Sequence, residues 1–327
     1  MRVVVTGGAG FIGRALIKRL ATGGVDTVAL VRDPHRAAHL VQPHVTLVQS
    51  DLTDTAAMAA AMAGADGVIH AAGEYRVGIA RAEQPRMLDA NLGTTERVLD
   101  AAIAANARRI VYVSTVNVFG DTHGKVVDES YRRDPATKQG RFLSYYDESK
   151  FLAHRAAEQR IQRGAPIVIV QPAQVYGPHD HSAVGAQLAA AYAGKLPYLA
   201  LVDVGLALVH VDDLADGIVA ALIRGRVGQS YVLAGAPLRL REAMAVAAKA
   251  SGHRLPRFTW PTRILRLIAF LQRHGINLAG APPGLTESID AGDDVTYWAS
   301  SAKAIKELGF TARPLEQGLK ETYGPAT

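Results

Sequence analysis

The chain has 327 residues, 49% of them hydrophobic and 20% charged, with a net charge of +6; these proportions exclude a disordered, fibrous or collagen-like polypeptide and suit one large domain carrying a smaller one. No cysteine is present, which excludes disulfides, thiolate metal sites and cysteine nucleophiles and fits a reducing cytoplasm. Lys and Arg are dispersed rather than gathered in a run, so the charge suits a small anionic ligand and leaves no footprint for nucleic acid.

A strand-like run over residues 3–6 begins almost at Met1. That leaves no room before it for a leader peptide, and no stretch reaches the roughly 18 apolar residues a membrane-spanning helix needs, so the expected location is cytoplasmic with no integral membrane segment. Further β-branched runs at 27–31, 45–48, 67–70, 110–114 and 167–171 alternate with alanine- and leucine-rich stretches of helical period. This rhythm predicts an α/β fold built on a doubly wound parallel sheet of Rossmann type. After Pro172 it breaks into Pro- and Gly-punctuated pieces, PAQVYGPHD, KLPYL, GAPLRL and GAPPG. Residues 1–172 are therefore expected to form the cofactor domain and 173–327 mostly a smaller C-terminal substrate lobe. That lobe is discontinuous, because about 206–233, with a helix over 212–223 and a strand over 230–233, is expected to return to the main sheet.

The first strand runs straight into Thr6-Gly7-Gly8-Ala9-Gly10-Phe11-Ile12-Gly13 and then an amphipathic helix. Gly7, Gly10 and Gly13 suit a tight turn, a close approach of backbone to pyrophosphate and close helix packing, with the helix N-terminus facing the phosphates. Three spaced glycines alone indicate only a tight turn; following a strand and opening a helix, they predict dinucleotide binding. At the end of the second strand, where a carboxylate would hold the ribose hydroxyls of NAD, stands Arg32. With Arg36 it could hold a 2′-phosphate, which favours NADP(H) and leaves NAD(H) possible; in the alternative, Arg32 is solvated and Asp33 serves the ribose.

Downstream, Tyr145-Tyr146-Asp147-Glu148-Ser149-Lys150 opens a helix running to about Gln162. Tyr146 and Lys150, four apart, share a helix face, whereas Tyr145 and Lys150 diverge. A phenol beside an ammonium can exchange a proton with substrate, Lys150 can also bond the nicotinamide ribose, and Thr115 at the fifth strand's end can fix the substrate oxygen. The expectation is that Lys150 favours the ionised phenol. A Tyr and Lys at this spacing usually form a mere surface pair; here they follow a dinucleotide turn and a Ser-Thr strand end on the ligand-binding side of an open sheet.

Together with HAAG at 70–73, NLGTT from Asn91, YVSTVNVFG, YDESK and VHVDDLADG, these motifs run in order along nearly the whole chain. The chain resembles the extended short-chain dehydrogenase/reductase family, whose members include the epimerases and dehydratases of sugar nucleotides. The resemblance implies that Asp51 and Leu52 border the adenine and that Ala71, Ala72 and Gly73 line the phosphate and ribose. It implies a structural Asn91, Pro172 to Val175 beside the nicotinamide, Thr115, Tyr146 and Lys150 as the catalytic set, and a possible homodimer. Within the family, sugar-nucleotide enzymes clamp a diphosphate near the last motif, where this chain reads Leu206, Ala207, Leu208 and Val209. The pattern is similar to the dihydroflavonol reductase and hydroxysteroid dehydrogenase groups, which implies reduction of a carbonyl, or oxidation of an alcohol, on a small apolar substrate. The alternatives are a sugar-nucleotide epimerase or dehydratase and, from another class, a cofactor-binding sensor. Val116 and Asn117 beside Thr115 lack the added acid and base of a dehydratase.

Glu74, Tyr75, Asn117, Gln174, Tyr176 and His210 are candidate substrate contacts. Glu74, Tyr75 and Arg76 could equally be a solvated loop, and capping of a helix by Asp212 is the simpler account of the segment holding His210. His179, Asp180 and His181 lack a further ligand at sensible spacing and predict a polar loop over the cleft, so no metal is expected. The greasy, arginine-bearing segment 261–273 is expected to pack on its own lobe, with covering an apolar substrate or resting on a membrane surface as alternatives.

Overall fold

The computed structural model describes residues 1–274, 276 and 284–325. Four of the five residues of the GAPPG stretch, 280–283, lie outside these. In chain order the elements are β1 (Arg2–Thr6), α1 (Phe11–Thr22), β2 (Asp26–Val31), β3 (Val45–Gln49), α2 (Thr55–Met62), β4 (Gly67–His70), α3 (Gln84–Leu88), α4 (Thr94–Ala104), β5 (Ile110–Val113), α5 (Tyr145–Gln162), β6 (Ile167–Pro172) and β7 (Val175–Tyr176). There follow α6 (Ala183–Tyr192), β8 (Gly205–Ala207), β9 (Val209–His210), α7 (Val211–Arg224), β10 (Ser230–Leu233), β11 (Pro237–Arg239), α8 (Leu240–Ala250), α9 (Thr262–Arg273), α10 (Leu285–Gly292), α11 (Ala302–Leu308) and α12 (Leu315–Tyr323).

Seven strands form one parallel sheet in the order β10-β6-β5-β4-β1-β2-β3. Strands β4, β5 and β6 are buried at every residue. A parallel sheet covered on both faces needs apolar residues on both, which is why these strands read as unbroken apolar runs rather than alternating ones. On one face α1 brings Leu16, Ile17 and Leu20 against Leu214, Ile218 and Leu222 of α7. On the other, Met58 and Met62 of α2, Val98 and Leu99 of α4, and Ala153 and Ala157 of α5 cover Val4, Ile110 and Ile169. The order of strands reverses between β1 and β4, so the connections leaving their C-terminal ends run to opposite faces and frame a crevice, the usual ligand site of open parallel sheets.

After Pro172, β10 pairs in parallel with β6 and α7 packs on α1. A separate apolar cluster joins α6, α8 and the strand pair β8/β11 around Leu188, Leu206, Met244 and Leu319. Helix α9 buries Ala269 and packs Leu265 and Ile268 against Leu285 and Ile289 of α10, as its own lobe requires, but it leaves Ile264, Leu267 and Phe270 exposed. No helix among the described residues is long and apolar enough to cross a membrane.

Candidate functional site

The glycine turn follows directly from β1. Gly7 adopts φ +77°, a left-handed backbone that favours glycine, and a Cβ there would stand 2.5 Å from the Ala72 nitrogen. At Gly13 a Cβ would come within 2.1 Å of the Gly7 carbonyl oxygen. The turn closes on a 3.0 Å bond from the Gly10 N–H to that same oxygen, and no side chain caps the first N–H groups of α1. This bare, positively polarised helix end beside an empty-backed turn fits a pyrophosphate. Beyond it, Ala71 donates its N–H to Thr6, so the two strand ends on either side of the crevice are tied together.

Further along the sheet edge, Arg32 and Arg36 are exposed at the end of β2. The Asp33 carboxylate turns back to accept the N–H groups of His35 and Arg36 at 2.9 and 3.3 Å. After β3, Asp51 accepts both the N–H and the hydroxyl of Thr53, and that hydroxyl holds its carboxyl below the usual carboxylate range. Leu52 takes φ +63° and gives its carbonyl to Arg97 at 3.0 Å.

Helix α5 starts at Ser144, whose hydroxyl accepts the Asp147 N–H. Its second residue, Tyr146, faces Thr115, Asn117, Phe11, Ile12, Pro172 and Val175 across a cavity of about 330 Å3. Thr115 donates to the Asn117 side chain at 3.0 Å and accepts its N–H at 3.2 Å, which fixes the hydroxyl at the rim. Lys150 is buried one turn below Tyr146, but its Nζ bonds the Tyr112 hydroxyl and the Val113 carbonyl, both at 3.3 Å. The expected lowering of the Tyr146 pKa is therefore corrected. Burial holds this phenol well above the ordinary tyrosine range, the Tyr75 hydroxyl adds to the rise, and the Thr115 hydroxyl only opposes it in part.

Asn91 ties the loop after β4 to α5. It lies in a π-helical turn over Asp89–Gly93, accepts the Glu74 N–H at 2.8 Å, and donates to the Glu74 carbonyl and to Ser149 of α5. The following ring, Tyr75, packs edge-on against Tyr146 with centroids 4.7 Å apart.

A second cavity of about 180 Å3 opens off the first, sharing Tyr75, Asn117 and Gln174 with it. Its remaining walls are mainly Val116, Val184, Leu201, Val204, Leu206 and Leu240. No Lys, Arg or His borders it. Of the proposed substrate contacts, Tyr75, Asn117 and Gln174 reach these cavities. Glu74 does not; its carboxylate pairs with Arg76 at 2.6 Å. Tyr176 and His210 do not either. On the strand pair β7/β9 the two rings stack edge to face, Tyr176 against Gly318 of α12, while His210 accepts the Asp212 N–H at 3.2 Å and meets Thr322. It is His210, not Asp212, that caps α7. His179, Asp180 and His181 do line the Tyr146 cavity.

Three arrangements leave no local trace in the sequence. Arg133 and Asp147 form a buried bidentate pair at 2.6 and 2.8 Å, with each side chain only 1% exposed. The guanidinium also caps the carbonyl of Gly140 at 2.7 Å and lies over Phe142, so it anchors the loop before α5 beside Tyr146. Glu287, from α10, accepts the Tyr145 N–H at 2.5 Å and the Gly78 N–H, joining α10 to α5 and to the loop bearing Tyr75. Gln187 enters the second cavity from α6.

A parallel sheet with a glycine turn at its switch point, and a Tyr-Lys helix beside that turn, defines a nicotinamide-dependent enzyme on a Rossmann fold. Residues 3–234 match the NAD dependent epimerase/dehydratase family, and the chain belongs to that family, within the extended short-chain dehydrogenase/reductases. It is 31% identical to a 4-hydroxy-2-methyl-3-oxo-4-farnesyl-3,4-dihydroquinoline-1-oxide ketoreductase of Stigmatella aurantiaca, with all of this chain and 97% of that protein covered. Among solved structures, gox2253 matches with a TM-score of 0.81 at 28% identity, covering 98% of this chain and 96% of that one. The dTDP-glucose 4,6-dehydratase DesIV of Streptomyces venezuelae, solved with NAD bound, shares the fold at a TM-score of 0.76 and 23% identity, over 99% and 96% of the two chains.

Proposed function

We propose that this enzyme is an NADP(H)-dependent reductase of a small, rather apolar carbonyl compound, with Tyr146 as its acid and base. The observation that carries this reading is the cavity beyond Tyr75, whose walls are mainly aliphatic and carry no cation to clamp a diphosphate. The 31% identical ketoreductase, whose printed name includes a ketone and a farnesyl group, supports the same substrate class.

When bound, the nicotinamide supplies the hydride. The glycine turn and α1 hold the dinucleotide's phosphates, and the crevice between β1 and β4 directs it toward Thr115 and Tyr146. Because burial keeps the Tyr146 phenol protonated at neutral pH, it is suited to give its proton to a carbonyl oxygen. Thr115 fixes that oxygen, and Lys150, held by the Tyr112 hydroxyl and the Val113 carbonyl, places a positive charge over the Tyr112 ring one turn below Tyr146. Arg32 and Arg36 would hold a 2′-phosphate, since they are exposed at the end of β2 while one oxygen of Asp33 is engaged by its own turn.

A fluorescence titration of NADPH and NADH against wild type, Arg32→Ala and Tyr146→Phe, followed by turnover of apolar ketones, tests the reading. Wild type is expected to bind NADPH at least about tenfold more tightly than NADH, a margin that Arg32→Ala removes. Tyr146→Phe is expected to keep that affinity and to lose about a hundredfold or more in kcat. A preference for NADH, with conversion of UDP-sugars and no net oxidation of cofactor, overturns the reading in favour of an epimerase.

A further inference from the structure

Among the polar side chains that line the mainly apolar cavity beyond Tyr75, one stands out because its acceptor has no donor. Gln187 lines it from the second turn of α6, and its Oε1 is buried without a hydrogen-bond partner. Asp180, just ahead of the same helix, borders the adjoining Tyr146 cavity. One of its oxygens accepts the Ser182 N–H at 2.8 Å, while the other, Oδ2, is buried and unpartnered. Among the described residues these are the two buried side-chain acceptors left without a donor, and they belong to residues that line the two adjoining cavities.

Buried acceptors are almost always paired in native proteins, because water is lost from them on burial and must be replaced. Neither atom can donate in return, so a ligand that satisfies them brings a hydrogen on oxygen or nitrogen. The Asp180 carboxylate also repels an anionic ligand, and the walls around Gln187 are aliphatic. The ligand they fit is therefore neutral, apolar over most of its surface, and carries a donor group, of which a hydroxyl is the simplest.

Resting on the reductase reading above, we propose that the substrate carries a hydroxyl set away from its reacting carbonyl, and that Gln187 selects it by accepting a hydrogen bond from that hydroxyl. A site built to pair with a hydroxyl rejects the analogue lacking it far more strongly than an apolar pocket rejects a missing methylene.

Suitable probes are 1-tetralone, its 5-, 6- and 7-hydroxy derivatives, and the matching methoxy ethers, which accept but cannot donate. Their binding to the enzyme loaded with NADP+, measured by calorimetry, reads affinity with no reduction possible. At least one hydroxytetralone should bind about tenfold or more tightly than both 1-tetralone and its own ether. In Gln187→Leu that margin should fall to within about twofold, with 1-tetralone binding as well as before or better. Gln187→Met, of the same length and unbranched, serves if the leucine variant does not fold by circular dichroism. No hydroxyl advantage in wild type, or an advantage that survives in the folded variant, overturns the proposal. Turnover of the same ketones with NADPH separates the two readings. Reduction without hydroxyl preference removes only the role of Gln187, whereas preferential binding with no ketone reduced removes only the reductase reading.

Discussion

His70 ends β4 under the loop that faces the cofactor crevice, and it is completely buried. Its Nδ1 meets the Thr6 hydroxyl at 2.8 Å, its Nε2 meets the Thr95 hydroxyl at 3.0 Å, and Tyr112 stacks on it at 5.6 Å. Burial, reinforced by the nearby Lys150 charge, pushes its pKa down to about 3 from 6.5. A base whose folded pKa lies below its unfolded value takes up protons first in the unfolded chain. Acid therefore draws the equilibrium toward unfolding as pH falls below about 6.5, and the effect levels off only below about 3. At pH 5 the unfolded imidazole lies about 1.5 units below its own pKa, so His70 alone should cost about 2 kcal/mol relative to pH 7. Urea unfolding of wild type and His70→Gln at both pH values isolates this quantity, since the other titrating groups are common to the two proteins. The variant should be weaker at pH 7, having lost hydrogen bonds worth about 1–3 kcal/mol. It should nevertheless lose about 2 kcal/mol less than wild type on going to pH 5. Equal losses in the two proteins would refute the account of a neutral, desolvated imidazole.

Arg133→Met strands the buried Asp147 carboxylate and should destabilise the fold by about 3–5 kcal/mol, read by urea unfolding. The double variant with Asp147→Leu should recover most of that, and a single variant as stable as wild type would show the pair to be dispensable. Gly13→Ala drives a methyl into the Gly7 carbonyl, where only backbone could yield. NADPH affinity by fluorescence should fall about a hundredfold in a protein with normal circular dichroism; wild-type affinity would mean that the turn does not carry the phosphates.

The sheet was legible because burial on both faces leaves its strands as apolar runs, and even β10, far along the chain, shows the same signature in Ser230–Leu233. The glycine turn and the Tyr-Lys spacing were legible because each is a local pattern whose geometry follows from one strand or one helix. The pairing of Arg133 with Asp147 was not, since they lie fourteen positions apart across an irregular loop and charge alone does not choose a partner. Tyr176 and His210 were misplaced for a related reason. Alternation along β7 and β9 tells that a side chain faces one side, but only the position of α12 decides that this side is packed rather than open. The π-helical turn at Asn91 was equally hidden, because a single extra residue in a helix changes no periodicity that a short window detects.

Glu287 binds Gly78 with one oxygen and Tyr145 with the other, so a single carboxylate works as a clasp across the mouth of the cleft. Both donors sit beside segments bearing the aromatic pair Tyr75 and Tyr146. The first turn of the Tyr146 helix and the Tyr75 loop thus share one anchor, and loss of that carboxylate would leave both N–H groups without their partner at the same time.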